Sequence, residues 1–140
     1  RVGRELLVEI ICGKNGPLTD DTVAHALDEL YASGIKPDWW KLEPQASGAA
    51  WATVGEVIRR NDPYCRGIVL LGLEAPGSEL AKGFQAAAGQ PEVRGFAIGR
   101  TIFNDVAKDW LGGRIGDDQA VAAMAGRFGK LVDLWKRTHS

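Results

Sequence analysis

The sequence predicts an α/β fold built on a parallel sheet. Three observations carry this. Four short apolar stretches begin near residues 5, 38, 66 and 94. Their spacing, roughly 30 residues, is the size of one strand–helix unit. The segments between them carry apolar residues at helical spacing, and strict alternation of strand and helix joins parallel strands through right-handed crossovers.

The first stretch, Arg4 to Cys12 (RELLVEIIC), is apolar except for Glu9. Near-continuous apolar character marks a strand buried on both faces. Gly13 to Thr19 reads as a loop. Asp20 or Asp21 is positioned to cap a helix over about 21–33, with Val23, Leu27, Leu30 and Tyr31 on one stripe and Gly34 as its stop. Pro37-Asp38-Trp39-Trp40-Lys41-Leu42-Glu43-Pro44 is a second strand, bounded by prolines. Ser47 is positioned to cap a helix over about 49–61, which Asn61-Asp62-Pro63 ends. Arg66 to Leu73 (RGIVLLGL) is the third strand, and a helix follows from Ser78 to about 89. Gly95 to Ile98 is the core of the fourth strand. Thr101 is the expected cap of a helix to about 111, broken by Gly112-Gly113. The last helix, about 117–137, places Val121, Met124, Phe128, Leu131, Val132 and Trp135 on one stripe.

Composition bounds the function. The chain of 140 residues is 45% hydrophobic and 25% charged, enough for a single domain spanning 1–140 with one core. A net charge of −1 supplies no electrostatic case for nucleic acid or an anionic membrane. No apolar run approaches the roughly 20 residues of a membrane span. Cys12 and Cys65 form no disulfide framework, so a reducing cytoplasm is the simpler expectation. The chain opens on Arg1 and runs at once into a strand, without start methionine or signal peptide, which reads as a beginning inside a longer protein.

Two architectures fit four βα units: a small doubly wound sheet, or half of a (β/α)8 barrel. The inward charges decide between them. An open sheet packed by helices on both faces would strand Glu9 and Lys41 in hydrocarbon. In a barrel, the strand interior near the C-terminal rim is where charged, working side chains belong. The expected fold is therefore a half-barrel, with Cys12, Pro44, Leu73 and Gly99 at one rim and two open sheet edges.

Lys41 is the leading candidate for chemistry. Strand alternation puts Trp39, Lys41 and Glu43 on one face and Trp40 and Leu42 on the other. A lysine amine held neutral in a low-dielectric site attacks a ketone to form a Schiff base. The competing reading is an ion pair to Glu43 or Glu9 that holds the interior together. Glu9, one strand earlier, is either a proton shuttle for Lys41 or its counter-ion. Gly99-Arg100-Thr101 ends the fourth strand and opens a helix, an arrangement suited to an anion, with the loop Gly72 to Ser78 as its neighbour. Cys12 reads as an inert buried thiol. Lys14 and Asn15 read as a solvated loop, and the five tryptophans as packing. His25 and His139 stand too far from the rim to hold a metal, and no glycine-rich nucleotide loop is present. Neither a metal nor a cofactor is expected.

LLVEII, WWKLEP, IVLLGLEAPGSEL and GFAIGRTIFNDVAKDWLGG together resemble the C-terminal half of a class I aldolase-like barrel family. The resemblance covers nearly all of the chain. It is closest to the aldolase-like domain, of DUF2090 type, fused to the sugar kinase 5-dehydro-2-deoxygluconokinase of myo-inositol breakdown, and more distant to tagatose-1,6-bisphosphate aldolase. It implies that Lys41 is the Schiff-base lysine, that Glu9 is a catalytic carboxylate, and that Gly72, Gly99 and Arg100 hold a phosphate. It implies cleavage of 6-phospho-5-dehydro-2-deoxygluconate to dihydroxyacetone phosphate and malonate semialdehyde. The implied partners are that phosphorylated sugar acid, an upstream half-barrel, a fused kinase domain and further copies of the protein. The alternative is a non-catalytic module that binds a phosphosugar or assembles a kinase. An ion-paired Lys41 without room for substrate would favour that alternative.

Overall fold

In the computed structural model, residues 3–73 and 75–139 are described. Four strands, β1 (Leu7–Ile10), β2 (Trp39–Leu42), β3 (Gly67–Leu70) and β4 (Val93–Phe96), form one parallel sheet in the order β1-β2-β3-β4. Helices α1 (Thr22–Ala32), α2 (Gly48–Asn61) and α3 (Gly77–Ala87) alternate with them. After β4 come α4 (Arg100–Leu111) and the long α5 (Asp117–Thr138). A single 3-10 turn, Gly13–Asn15, lies between β1 and α1. Mixed α/β alternation and parallel pairing agree with the sequence expectation. The first three strands are shorter than the apolar stretches, because pairing stops at Ile10, Leu42 and Leu70; β4 begins two residues before the expected Gly95 and ends at Phe96, so Ala97 and Ile98 lie in the rim loop.

One parity of the strand residues makes the core. Trp40, Leu42, Ile68 and Leu70 are fully buried against Leu27, Trp51, Val54 and Phe84 of the first three helices. Burying side chains of this size yields about 1.5–3 kcal/mol each, which outweighs the marginal pairing of four-residue strands. Trp40 also donates its indole N–H to Tyr31 Oη at 2.7 Å, with the rings edge to face. The opposite parity is absent from this core: Leu7 and Glu9 are exposed, and Trp39, Lys41, Val69 and Gly95 are half-buried.

Several local expectations need correction. Ser47 caps α2 by accepting from the Ala50 amide at 3.1 Å. Asp21 stands at the N-cap of α1 without accepting a bond there, and Asp20 instead accepts from Ser47 Oγ. Thr101 does not cap α4. Helix α4 begins two residues earlier than a Thr101 cap would give, at Arg100 with Gly99 as its N-cap, and the Thr101 hydroxyl is buried without a partner among the described residues. The α5 stripe is only partly buried. Leu131 is buried, whereas Val121 is 67% and Phe128 50% exposed. Phe128 meets the Phe96 ring, at 6.0 Å between centroids, with one side only. Trp110 is likewise exposed, not packed, with its indole N–H on Asp117.

Among the described residues, no helix is long and apolar enough to cross a membrane.

Candidate functional site

The register of the sheet sets the geometry. Glu9 pairs with Lys41, Lys41 with Val69, and Val69 with Gly95, so these four form one row across the face opposite the helix-packed core. Parallel neighbours lie about 4.8 Å apart, which lets long side chains in one row meet. Lys41 Nζ stands 2.6 Å from Glu9 Oε2. The Lys41 side chain is 25% exposed and that of Glu9 43%, so the pair faces partly into water. Of the two counter-ions open to Lys41, the structure therefore selects Glu9.

Glu43 goes elsewhere. Strand β2 has already ended at Leu42, and Glu43 is 2% exposed. Its Oε1 accepts from the Cys12 amide at 2.6 Å and from the Gly13 amide at 3.0 Å, and its Oε2 from Gly13 at 3.2 Å. A Cβ at Gly13 would stand 2.8 Å from Glu43 Oε2, so glycine is needed where that loop meets the carboxylate. Reading Glu43 from its place on the strand missed this role, since alternation holds only while the strand lasts.

Beside the ion pair lies a cleft of about 70 Å³, lined by Glu9, Lys41, Gly72, Gly99 and Arg100, with Thr101 at its side. The structure thus brings all five candidate residues to one place. Gly72 fits because the β3 and β4 loops press together: an added Cβ would stand 3.0 Å from two Ile98 carbons. At Gly99 a Cβ would stand 3.0 Å from the Phe103 ring. Leu73, also on the cleft wall, holds a left-handed backbone with φ of +48°. That conformation costs a branched residue on the order of 1–3 kcal/mol and is typical of working loops. Arg100 is exposed at the mouth, on the first turn of α4. The open end of a helix and a guanidinium favour an anion there.

The residues set aside in the sequence lie outside this cleft. His25 is exposed on α1, and His139 stacks on Trp135 at 3.6 Å between ring centroids. Lys14 and Asn15 are exposed. Cys12 is half-buried, and burial, followed by the nearby Glu43 charge, pushes its thiol up from the usual range. It therefore stays protonated and unreactive near neutral pH. Among the described residues, no group of three or more His, Cys, Asp or Glu side chains is placed to hold a metal.

The family described as "Uncharacterized protein conserved in bacteria (DUF2090)" matches residues 1–139, and the chain belongs to it. No curated protein matches the chain.

Proposed function

We propose that this member of the family is the C-terminal half of a (β/α)8 barrel and carries the Schiff-base site of a class I aldolase. The observation that supports this most directly is the contact of Lys41 Nζ with Glu9 Oε2 at 2.6 Å, in the same cleft as Gly72, Gly99 and Arg100. Sequential strand order, with the core on one face only, supports the half-barrel. The other half would come from an upstream segment of the natural protein, or a second copy would cover the open edges. The natural protein would also carry the sugar kinase domain.

In the proposed reaction, Glu9 takes a proton from the Lys41 ammonium, and the freed amine attacks the substrate ketone. Glu9 returns the proton to the carbinolamine hydroxyl, which leaves as water. The iminium withdraws electrons from the bond between the α and β carbons. That bond breaks as the β-hydroxyl passes its proton to the Glu9 carboxylate and the β carbon becomes an aldehyde. The electron pair stays as an enamine, which is protonated and hydrolysed to release dihydroxyacetone phosphate and Lys41. Malonate semialdehyde is the other product when the substrate is 6-phospho-5-dehydro-2-deoxygluconate. Arg100, with the Gly72 and Gly99 loops, holds the phosphate.

The test is borohydride reduction of the natural protein in the presence of dihydroxyacetone phosphate. The expected result is a covalent adduct on Lys41, with cleavage activity unchanged in a chelator. Absence of an adduct on Lys41 overturns the aldolase reading.

A second reading has its own support. The cleft is small, about 70 Å³, and Lys41 is ion-paired. A module that binds only the phosphate end of a sugar, without turning it over, accords with both facts. Tight phosphosugar binding without an adduct would establish it.

A further inference from the structure

We infer that Glu43 is a positioning residue, which holds Glu9 against Lys41 by clamping the exit of β1. Its importance for catalysis rests on the aldolase reading; the clamp itself does not. Strand β1 is at the edge of the sheet, has only four residues, and pairs with β2 alone among the described residues. Backbone pairing ends at Ile10 opposite Leu42. Glu9 is one residue from that end, so its direction depends on what holds the chain just beyond it.

What holds it is the Glu43 carboxylate. Glu43 follows Leu42 directly and takes the amides of Cys12 and Gly13, continuing in side-chain form the pairing that the backbone gives up. Hydrogen bonds from amides to a charged acceptor are worth about twice those between neutral groups. Gln45 Nε2, donating to the Glu43 carbonyl at 2.8 Å, steadies the segment. The other end of β1 is held by the same device: Asp38, before β2, accepts from the Leu6 amide at 2.7 Å. The two clamps differ in what lies next to them. Asp38 and Leu6 are at the rim away from the cleft, whereas Glu43 clamps Cys12 and Gly13 at the rim where the cleft opens, next to its lining residue Ile11. This contrast separates a positioning role from a merely structural one.

The experiment compares Glu43→Gln with Asp38→Asn in the natural protein, each checked for folding by circular dichroism. Trapping by borohydride with dihydroxyacetone phosphate should slow tenfold or more in Glu43→Gln and stay within twofold in Asp38→Asn. Adding Glu43→Gln to Glu9→Gln should slow trapping by no more than a further twofold, because the clamp acts through Glu9. In a structure of Glu43→Gln, the separation of Lys41 Nζ and Glu9 Oε2 should exceed 4 Å, the outer limit of an ion pair at roughly contact distance. If Glu43→Gln fails to fold, Gly13→Ala disturbs the clamp from the other side and should give the same slowing. Equal slowing in Glu43→Gln and Asp38→Asn, trapping in Glu43→Gln within twofold of the unaltered protein, or an unchanged Lys41–Glu9 separation overturns the inference. Should the unaltered protein give no adduct, the aldolase reading fails, and the Lys41–Glu9 separation alone decides on the clamp.

Discussion

The two faces of the sheet obey different rules. The face that meets the helices holds Trp40, Leu42, Ile68 and Leu70, all fully buried. The other face holds a cation, an anion, a glycine and half-covered apolar residues in matching register. The same four strands supply both. The first face is determined by packing, where removal of apolar surface from water rewards every side chain alike. The second is determined by two charges that would not survive such packing, and it stays open to water or to whatever covers it. Stability and chemistry are thus assigned to alternate residues of the same strand, and variants on the two faces should behave oppositely.

The largest expected effect is on the open face. Lys41→Arg should abolish the borohydride adduct completely, because arginine stays protonated and cannot form an imine. The fold should stay intact, since partly exposed ion pairs contribute about 0–1 kcal/mol. Mass spectrometry of the reduced protein beside a denaturant titration checks both halves. On the packed face, Trp40→Ala should cost about 3–5 kcal/mol, enough to unfold much of the chain, as seen by urea denaturation. An unchanged midpoint would contradict the core described above.

At the mouth of the cleft, Arg100→Ala should weaken phosphosubstrates roughly 10- to 100-fold, the worth of one charge-assisted hydrogen bond. Unphosphorylated analogues should lose little. Equal losses for both would remove its phosphate role. A smaller effect belongs to Tyr31, behind Trp40. Burial, the largest influence, pushes its phenol well above the usual range, although the Trp40 hydrogen bond pulls the other way. An unfolded tyrosine loses its proton from about pH 10 upward, while the folded one keeps it. The folded state therefore binds more protons there, and stability falls as pH rises, by up to about 1.4 kcal/mol per unit. Tyr31→Phe should flatten that part of the profile. Cys12 and Cys65 push in the same direction; Cys12 is unaffected by the change, while Cys65 interacts with Tyr31, so the difference reports Tyr31 together with its influence on Cys65.

The smallest effect sharpens the comparison most. Leu7 lies on the open face and is exposed, so Leu7→Ala in the isolated chain should change stability by no more than about 0.5 kcal/mol. In a longer natural protein whose upstream segment covers this face, the same substitution should cost several times as much. Equal values in both would leave the face uncovered.

How much of this could be read from the sequence follows from the same division. Parallel pairing and the alternation of elements were legible because apolar period and punctuation are local. The opposition of Glu9 and Lys41 was legible as a possibility, because each sits mid-strand where alternation is reliable. Glu43 was not, since its direction is decided after β2 ends, by two amides of another loop. The α5 stripe misled for a different reason. Periodicity shows which residues share a side of a helix, but not how far that side is covered: Phe128 meets Phe96 yet stays half exposed, and Val121 is mostly exposed. Leu73 left no signal at all, because an αL backbone at leucine is imposed by its surroundings and not by its own preference.

The irregularity between β3 and β4 has a consequence for how this chain tolerates change in length. Ile68 pairs with Val93, but Val69 pairs with Gly95, so Arg94 is skipped. In an unbroken ladder Arg94 would fall in the row of Glu9 and Lys41, adding a second cation there. The extra residue instead turns outward, exposed, its side chain lying over Gly67, and the row ends on hydrogen. Loss of the codon for residue 94 would therefore leave every remaining strand residue facing as it does now. Loss of a neighbouring codon within the paired part of β4 would turn the arginine inward. At this one position, a deletion is milder than at the positions beside it.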